Sequence, residues 1–498
     1  MNVNPITRLD YPDPDVIRVE DTYYMVSTTM HFMPGCEILQ SFDLVHWEHV
    51  TYVYETLDHT DAQQLKSGQN IYGQGMWAAS LRYHEGRFCI CFVANDTRKT
   101  YLYTSEKIDG PWKKQLIEGF YHDGSLLFDE DGRNYIVYGN DEIWITELNE
   151  DLTAPKKDGL HRLLVSDHKN PELGYEGSHI QKINGYYYIF LIHSLRDRWM
   201  RTEACFYSDS LEGEFTGGDV LCDDRGYCGQ GVAQGGIVDT PDGKWYAMLF
   251  QDSGAVGRIP ILLPVTWKDH FPFFGQNGHV PEEIEVHSTR PGYIYQPLVG
   301  SDDFCNGLLP RWQFNHDPDP LYYHLDALQG TYTITTREVC TELTQAVNTL
   351  TQRMSYPSCA AEVTVDASAL KEGDVAGLCA LQSCYAAVGI TKHHGKYEVL
   401  MLDKKEDGIL DMTEGTVVES HQMDFRLEAD FCNMKDEARC YYRVNKGDWL
   451  PIGTVHKLYF KLDHFTGCRF GLFCYAAEET GGSACFRDFK YYDVDEIS

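Results

Sequence analysis

Over roughly the first 290 residues, short apolar runs alternate with turns, and one pattern recurs five times. It is a polar or aromatic opener, a strand, a tight turn and an aromatic-rich strand. The five stretches are Leu9–Ser27 (LDYPDPDVIRVEDTYYMVS), Trp77–Val93 (WAASLRYHEGRFCICFV), Asp123–Tyr138 (DGSLLFDEDGRNYIVY), Glu176–Ile192 (EGSHIQKINGYYYIFLI) and Gln234–Phe250 (QGGIVDTPDGKWYAMLF). Four of the turns contain a glycine (Gly86, Gly132, Gly185, Gly243), three of them as Asp-Gly or Asn-Gly. Those dipeptides supply the φ > 0 residues a tight hairpin needs. Successive openers, Asp13, Trp77, Asp123, Glu176 and Gln234, lie 64, 46, 53 and 58 residues apart. A period somewhat above ~40–45 residues suits four-stranded propeller blades with loop insertions. The pattern predicts a five-bladed β-propeller over residues 1–290, with SFDLVHW as an outer strand and turn, Trp47 packed between blades, and TSEKIDGPW and YSDSLEGEF as the outer strands of later blades.

The pattern changes after a turn-rich passage, Val280–Ser301, with Pro281, Pro291 and Pro297. Residues 291–301 read as a linker. From 302 to 498, strands such as GTYTITT, CAAEVTVDA, AGLCALQ, YAAVGITKH, GKYEVLML and RFGLFCYA alternate with polar turns and show little helical signal. They predict a jelly-roll-like antiparallel β-sandwich, an accessory domain that could shape the propeller mouth. The chain is thus read as all-β.

The ring has a chemical consequence. Equivalent openers near the axis converge on one mouth, and three of them, Asp13, Asp123 and Glu176, are carboxylates. Like charges and burial push at least one pKa upward there, which suits general acid and base chemistry on a neutral substrate. Net charge agrees: 42 Lys and Arg against 75 Asp and Glu leave −33, a field that repels nucleic acid and anionic lipid but not sugars. No run approaches the ~18 apolar residues of a membrane span, and the N-terminus has neither a basic nor an apolar export region, so a cytoplasmic location is expected. The 16 cysteines are then expected as thiols, with Cys89 and Cys91 in the core rather than on a metal. FDEDGR reads as a hairpin turn and not a calcium loop. GQGVAQGG lacks the spacing and the following helix of a dinucleotide site.

These motifs resemble glycoside hydrolase family 43. YPDPDVIRV is similar to its PDPS-type motif, GMWAASLRYHEGRF to its WAP…YH-G-F segment, HDGSLLFDEDGRNYIVYG to its DPSLF-D-DG segment, YEGSHI to its EGPH segment, and GRIPILLPVTW to its GR…PV-W segment. The second domain resembles, from SDDF through WQFNHDP, NTLTQR and GDVAGL, the C-terminal sandwich of the family's β-xylosidases and α-L-arabinofuranosidases. The resemblance implies an inverting exo-acting hydrolase that releases terminal α-L-arabinofuranosyl or β-D-xylosyl units from hemicellulose-derived oligosaccharides. Asp13 would be the general base, Glu176 the general acid kept protonated near neutral pH, and Asp123 the modulator of its pKa. Inversion needs the two carboxyls roughly 6.5–9.5 Å apart, with room for water. Phe32, Trp77, Gln234 and Arg258 match sugar-pocket positions. Gln234 stands where many members have a histidine that supports an axial calcium through waters, so the chemistry needs no cofactor and a structural Ca2+ on the axis is left open. Gly124, Ala79 and Ser178 each replace a proline of the family pattern. A predominantly β-1,4-xylosidase specificity, a non-catalytic sugar-binding propeller and a homo-oligomer also remain open on the sequence.

Overall fold

The structure is a computed structural model that describes residues 2–413 and 415–493. Its first part is a ring of five four-stranded sheets, each an up-and-down meander whose strands follow in chain order. The innermost strands are Asp15–Val19, Met76–His84, Ser125–Phe128, Glu176–Ile183 and Val232–Asp239. Each junction between neighbouring blades has its own apolar cluster. Met76, Leu81, Phe92 and Tyr101 meet Val26 and Ile38 between blades one and two, and Tyr11, Tyr23, Trp47, Tyr246 and Met248 seal blade five against blade one. Burial of these wedge-shaped interfaces is what holds the ring.

Among the described residues, no blade borrows a strand from the other end of the chain. Asn2–Val3 instead pairs with Glu283–Ile284. The Asn4 side chain donates from Nδ2 to the Leu262 carbonyl (2.7 Å), and its Oδ1 accepts the Leu262 N–H (3.1 Å), imitating a strand against blade five.

SFDLVHW, TSEKIDGPW and YSDSLEGEF are turns, not outer strands. They join the third strand of a blade to its fourth, as in Gly35–Ser41 to Glu48–Tyr54. The reason is local: Asp43 Oδ1 accepts the N–H groups of Val45 (3.0 Å) and His46 (2.8 Å), and the Ser105 and Ser208 hydroxyls accept those of Lys107 and Ser210. Side-chain-to-backbone bonds of this kind compete with the sheet ladder and end the strand.

Five equivalent residues at the mouth adopt the left-handed conformation: Asp13 (φ 53°), Ala78 (29°), Asp123 (48°), Gly177 (64°) and Gln234 (59°). Regular pairing starts two residues later in every blade, at Asp15, Ser80, Ser125, His179 and Gly236. Asp13, Asp123 and Gln234 are therefore equivalent, whereas Trp77 and Glu176 each lie one residue earlier, before a β-bulge. The blade-three counterpart of Trp77 and Glu176 is His122.

The second part is a sandwich of one nine-stranded and one seven-stranded antiparallel sheet around a large apolar core that includes Trp312, Phe425, Phe470 and Phe486. The two parts share hydrogen bonding. Phe32–Met33, in the mouth loop of blade one, pairs with Gln313–Asn315 and so becomes the edge of the nine-stranded sheet. Close by, Arg353 of the sandwich donates to Glu37 of the propeller (2.8 Å), with both side chains buried.

Candidate active site

Asp13 sits at the mouth with both carboxylate oxygens engaged. Oδ2 accepts from the Thr28 hydroxyl (2.6 Å), which itself accepts the Ala78 N–H (2.8 Å), and Oδ1 accepts from Nη1 of Arg258 (3.0 Å). Arg258 is almost wholly buried and begins the strand Arg258–Lys268 of blade five. Its guanidinium lies between the rings of Phe250 (5.4 Å) and Phe465 (4.3 Å). A cation fixed by stacking and an ion pair keeps few degrees of freedom, and it holds Asp13 in one orientation.

Asp123 lies on the other side of the mouth, where its Oδ2 accepts the N–H of Gly177 (3.0 Å). Burial pushes its carboxyl up to about 6; the charge of His122 opposes this, and Glu176 and Asp13 reinforce it. Glu176 opens the innermost strand of blade four, and its Oε2 accepts from Nδ2 of Asn140 (2.6 Å). Its side chain is the most open of the three, 22% exposed against 8% for Asp13 and 7% for Asp123. The fold thus brings together three acids distant in sequence. Two are buried and fixed by donors, and one faces the solvent side.

Sequence reasoning missed two residues of this site. His122 precedes Asp123, and its Nε2 is 3.6 Å from Asp123 Oδ2 and 3.5 Å from Glu176 Oε2. The charge of Asp123 raises the imidazole to about 9 against the cost of burial, with help from Glu176 and Asp13. A signal was available, since His122 occupies the position held by Trp77 and Glu176 in neighbouring blades. The second is Phe465, on a sandwich loop, whose ring is 5.5 Å from that of Trp77. No propeller periodicity could reveal it. The loop is anchored by Asp10, whose Oδ1 accepts the Arg258 N–H (2.7 Å) and whose Oδ2 accepts the Gly467 N–H (2.7 Å).

The remaining expected pocket residues divide. Trp77 is half-buried at the mouth, 6.1 Å from the His122 ring. Gln234 is buried against Gly177, with its N–H donated to Oε2 of Glu203 (2.7 Å), a carboxyl that burial pushes well above its usual range. Phe32 departs from expectation. It is fully buried at the domain junction, with the Arg469 guanidinium 3.5 Å above its ring, because its backbone is drawn into the sandwich sheet.

An axial calcium does not fit these residues. Asp15, on the innermost strand of blade one, has both oxygens engaged: Oδ2 accepts from Leu81 N (2.7 Å) and Arg82 Nη1 (2.8 Å), and Oδ1 lies 3.1 Å from His179 Nδ1. Arg82 is already the cation there, and its Nη2 reaches Ser125 Oγ (2.7 Å). A divalent ion beside it would meet the like charge of Arg82. His122, Asp123 and Glu176 present possible ligand atoms within 4.8 Å of one another at the mouth rather than on the axis.

Comparison with known proteins places this propeller, with its three acids and fixed arginine at one mouth, among the glycoside hydrolases. The profile described as glycosyl hydrolases family 43 matches residues 3–272, and one described as a beta xylosidase C-terminal Concanavalin A-like domain matches residues 301–492. The chain belongs to glycosyl hydrolase family 43. It is 26% identical over 554 residues to a beta-xylosidase of Formosa agariphila, covering 99% of this chain and 89% of that protein. It is 25% identical over 539 residues to a xylosidase/arabinosidase of Humicola insolens, covering 98% and 96%. Among solved structures, a bifunctional GH43-CE protein of Bacteroides eggerthii superposes with a TM-score of 0.93 at 42% identity. All of this chain is covered, but the chain spans only 64% of that protein's length. No helix among the described residues is long and apolar enough to cross a membrane.

Proposed function

We propose that the enzyme releases terminal pentoses, α-L-arabinofuranosyl and β-D-xylosyl, from hemicellulose-derived oligosaccharides in one inverting step. Asp13 acts as the general base. It takes a proton from a water that attacks the anomeric carbon, while Glu176 gives its proton to the departing glycosidic oxygen as that C–O bond breaks. Asp123 orients the Glu176 turn through Gly177. Arg258 fixes Asp13 and offers donors to sugar hydroxyls.

The observation that carries this reading is the convergence of Asp13, Asp123 and Glu176 beneath Phe465. A ring from the second domain over Arg258 and beside Trp77 narrows the mouth, which supports removal of end units rather than attack within a chain. Both oxygens of Asp13 are held, by Thr28 and Arg258, which speaks against a merely sugar-binding propeller, since such a protein has no use for a base fixed this way. The names of the relatives favour both pentose linkages, with a predominantly β-1,4-xylosidase activity as the second reading. Hydrolysis of a β-xylobioside and of an α-L-arabinofuranosyl-substituted xylo-oligosaccharide, whose sugar leaving groups need a proton, by wild type, Asp13→Ala and Glu176→Ala is the test. Both variants should lose at least about a thousandfold in kcat, and NMR of the first-formed sugar should show the inverted anomer. Glu176→Ala retaining activity on both glycosides, or a retained anomer, would overturn the assignment.

A further inference from the structure

Resting on Glu176 as the acid, we propose that His122 is a positioning residue of the reaction: its imidazole carries a positive charge between Asp123 and Glu176 and keeps Asp123 ionised at the pH where the enzyme works.

The geometry comes first. Nε2 of His122 is buried, makes no hydrogen bond within the protein, and stands 3.6 Å from one carboxylate and 3.5 Å from the other. That is ion-pair distance to two acids at once. Trp77 covers one side of the imidazole, and Asn140 engages the Glu176 oxygen that His122 faces. The charges that face His122 are Asp123 beside it, Glu176 from blade four and Asp13 from blade one. Arg258 is committed to Asp13. Among the described residues no lysine or arginine pairs with Asp123 or Glu176, so His122 is the cation on that half of the mouth.

The consequence follows from charge. Asp123 is buried next to two other acids, and both effects favour its neutral form. A neutral Asp123 would hold the Gly177 N–H, and with it the turn that presents Glu176, less firmly. An imidazolium at 3.6 Å is the principal opposing influence. The arrangement also explains why a titratable base sits where blade two has a tryptophan: the position points into the mouth, and blade three uses it for charge.

The test is the pH dependence of kcat/KM for wild type, His122→Asn and His122→Lys on p-nitrophenyl pentosides. Removing the charge should move the acid limb of the profile upward by about 1–3 pH units, and lysine should restore it toward wild type. A purely structural role would lower the whole profile without moving that limb, and this outcome would overturn the proposal. A second measurement needs no active variant. With 13C-labelled histidine, the His122 Cε1–H resonance, assigned by its loss in His122→Asn, should titrate near 9 in wild type. Titration at or below the ordinary value of 6.5 would equally overturn it. Failure of the acid assignment is separable, since it would appear as activity in Glu176→Ala whatever the His122 profiles do.

Discussion

The backbone N–H of Gly177 donates to Oδ2 of Asp123 at 3.0 Å, so blade three fixes the turn on which blade four presents Glu176. Similar bonds cap the neighbouring left-handed residues, Ala78 by Thr28 and Gln234 by Glu203. Gly177 is itself left-handed (φ 64°), and a Cβ there would come within 2.7 Å of the Gln234 side chain. Gly177→Ala should therefore displace Glu176, lower kcat about tenfold to a hundredfold, and destabilise the fold by about 1–3 kcal/mol. Kinetics on aryl pentosides and a thermal melt check both parts.

Asp10 holds Arg258 with one oxygen and the Phe465 loop with the other. Asp10→Ala should loosen the roof and the arginine together and leave two buried N–H groups unpaired. The expected result is a kcat/KM reduced about tenfold or more, with the larger part in KM, measured on a pentose disaccharide.

Phe465→Ala keeps Asp10 and Arg258 paired but removes the ring over the guanidinium. It should open the mouth and cost about tenfold in kcat/KM on terminal pentosides. If Phe465 enforces end-unit removal, release of longer oligosaccharides from xylan or arabinan should rise in this variant. Product sizing by chromatography reads that out.

Arg353→Met removes the buried cation that faces Glu37 at the domain junction and leaves only His49 beside that carboxylate. Breaking such a pair costs about 3–5 kcal/mol. The expected signature is a lower thermal midpoint, with propeller and sandwich losing structure together, because the Phe32–Met33 strand joins their sheets.

Acid stability follows from two buried carboxylates. Burial pushes Asp15 up, but Arg82 and His179 outweigh it and hold it at about 2, below its ordinary 3.8. Glu37 is likewise raised by burial yet held at about 2 by Arg353 and His49, below its ordinary 4.5. Groups with depressed folded-state values bind protons more readily when unfolded, so stability is full above about pH 4.5 and falls toward pH 2. Each contributes about 2–3 kcal/mol near neutral pH. Denaturant titrations at pH 6 and pH 3 should differ in this sense, and Arg82→Met should flatten the Asp15 share.

The blades and the acids were legible because both are written at short range. Asp-Gly and Asn-Gly turns mark the hairpins, period-2 apolar runs mark the strands, and the openers recur at a blade's spacing. The reading of SFDLVHW as a strand failed because its Asp43 bonds its own backbone, an interaction a hydrophobicity pattern does not carry. The alignment of Trp77 and Glu176 with Asp13 was off by one residue because a bulge adds a residue without changing composition. That slip also hid His122.

By itself, then, the sequence determined the repeating β units, the two-part layout and the three acids, since turn chemistry and side-chain alternation depend on neighbours a few residues away. Tertiary structure alone decided that Phe32 belongs to the sandwich sheet, that Phe465 roofs the site from nearly 400 residues beyond Trp77, and that Arg82 fills the axis. These depend on which surfaces meet when the ring closes and the sandwich docks, and contacts between distant segments leave no periodic mark along the chain.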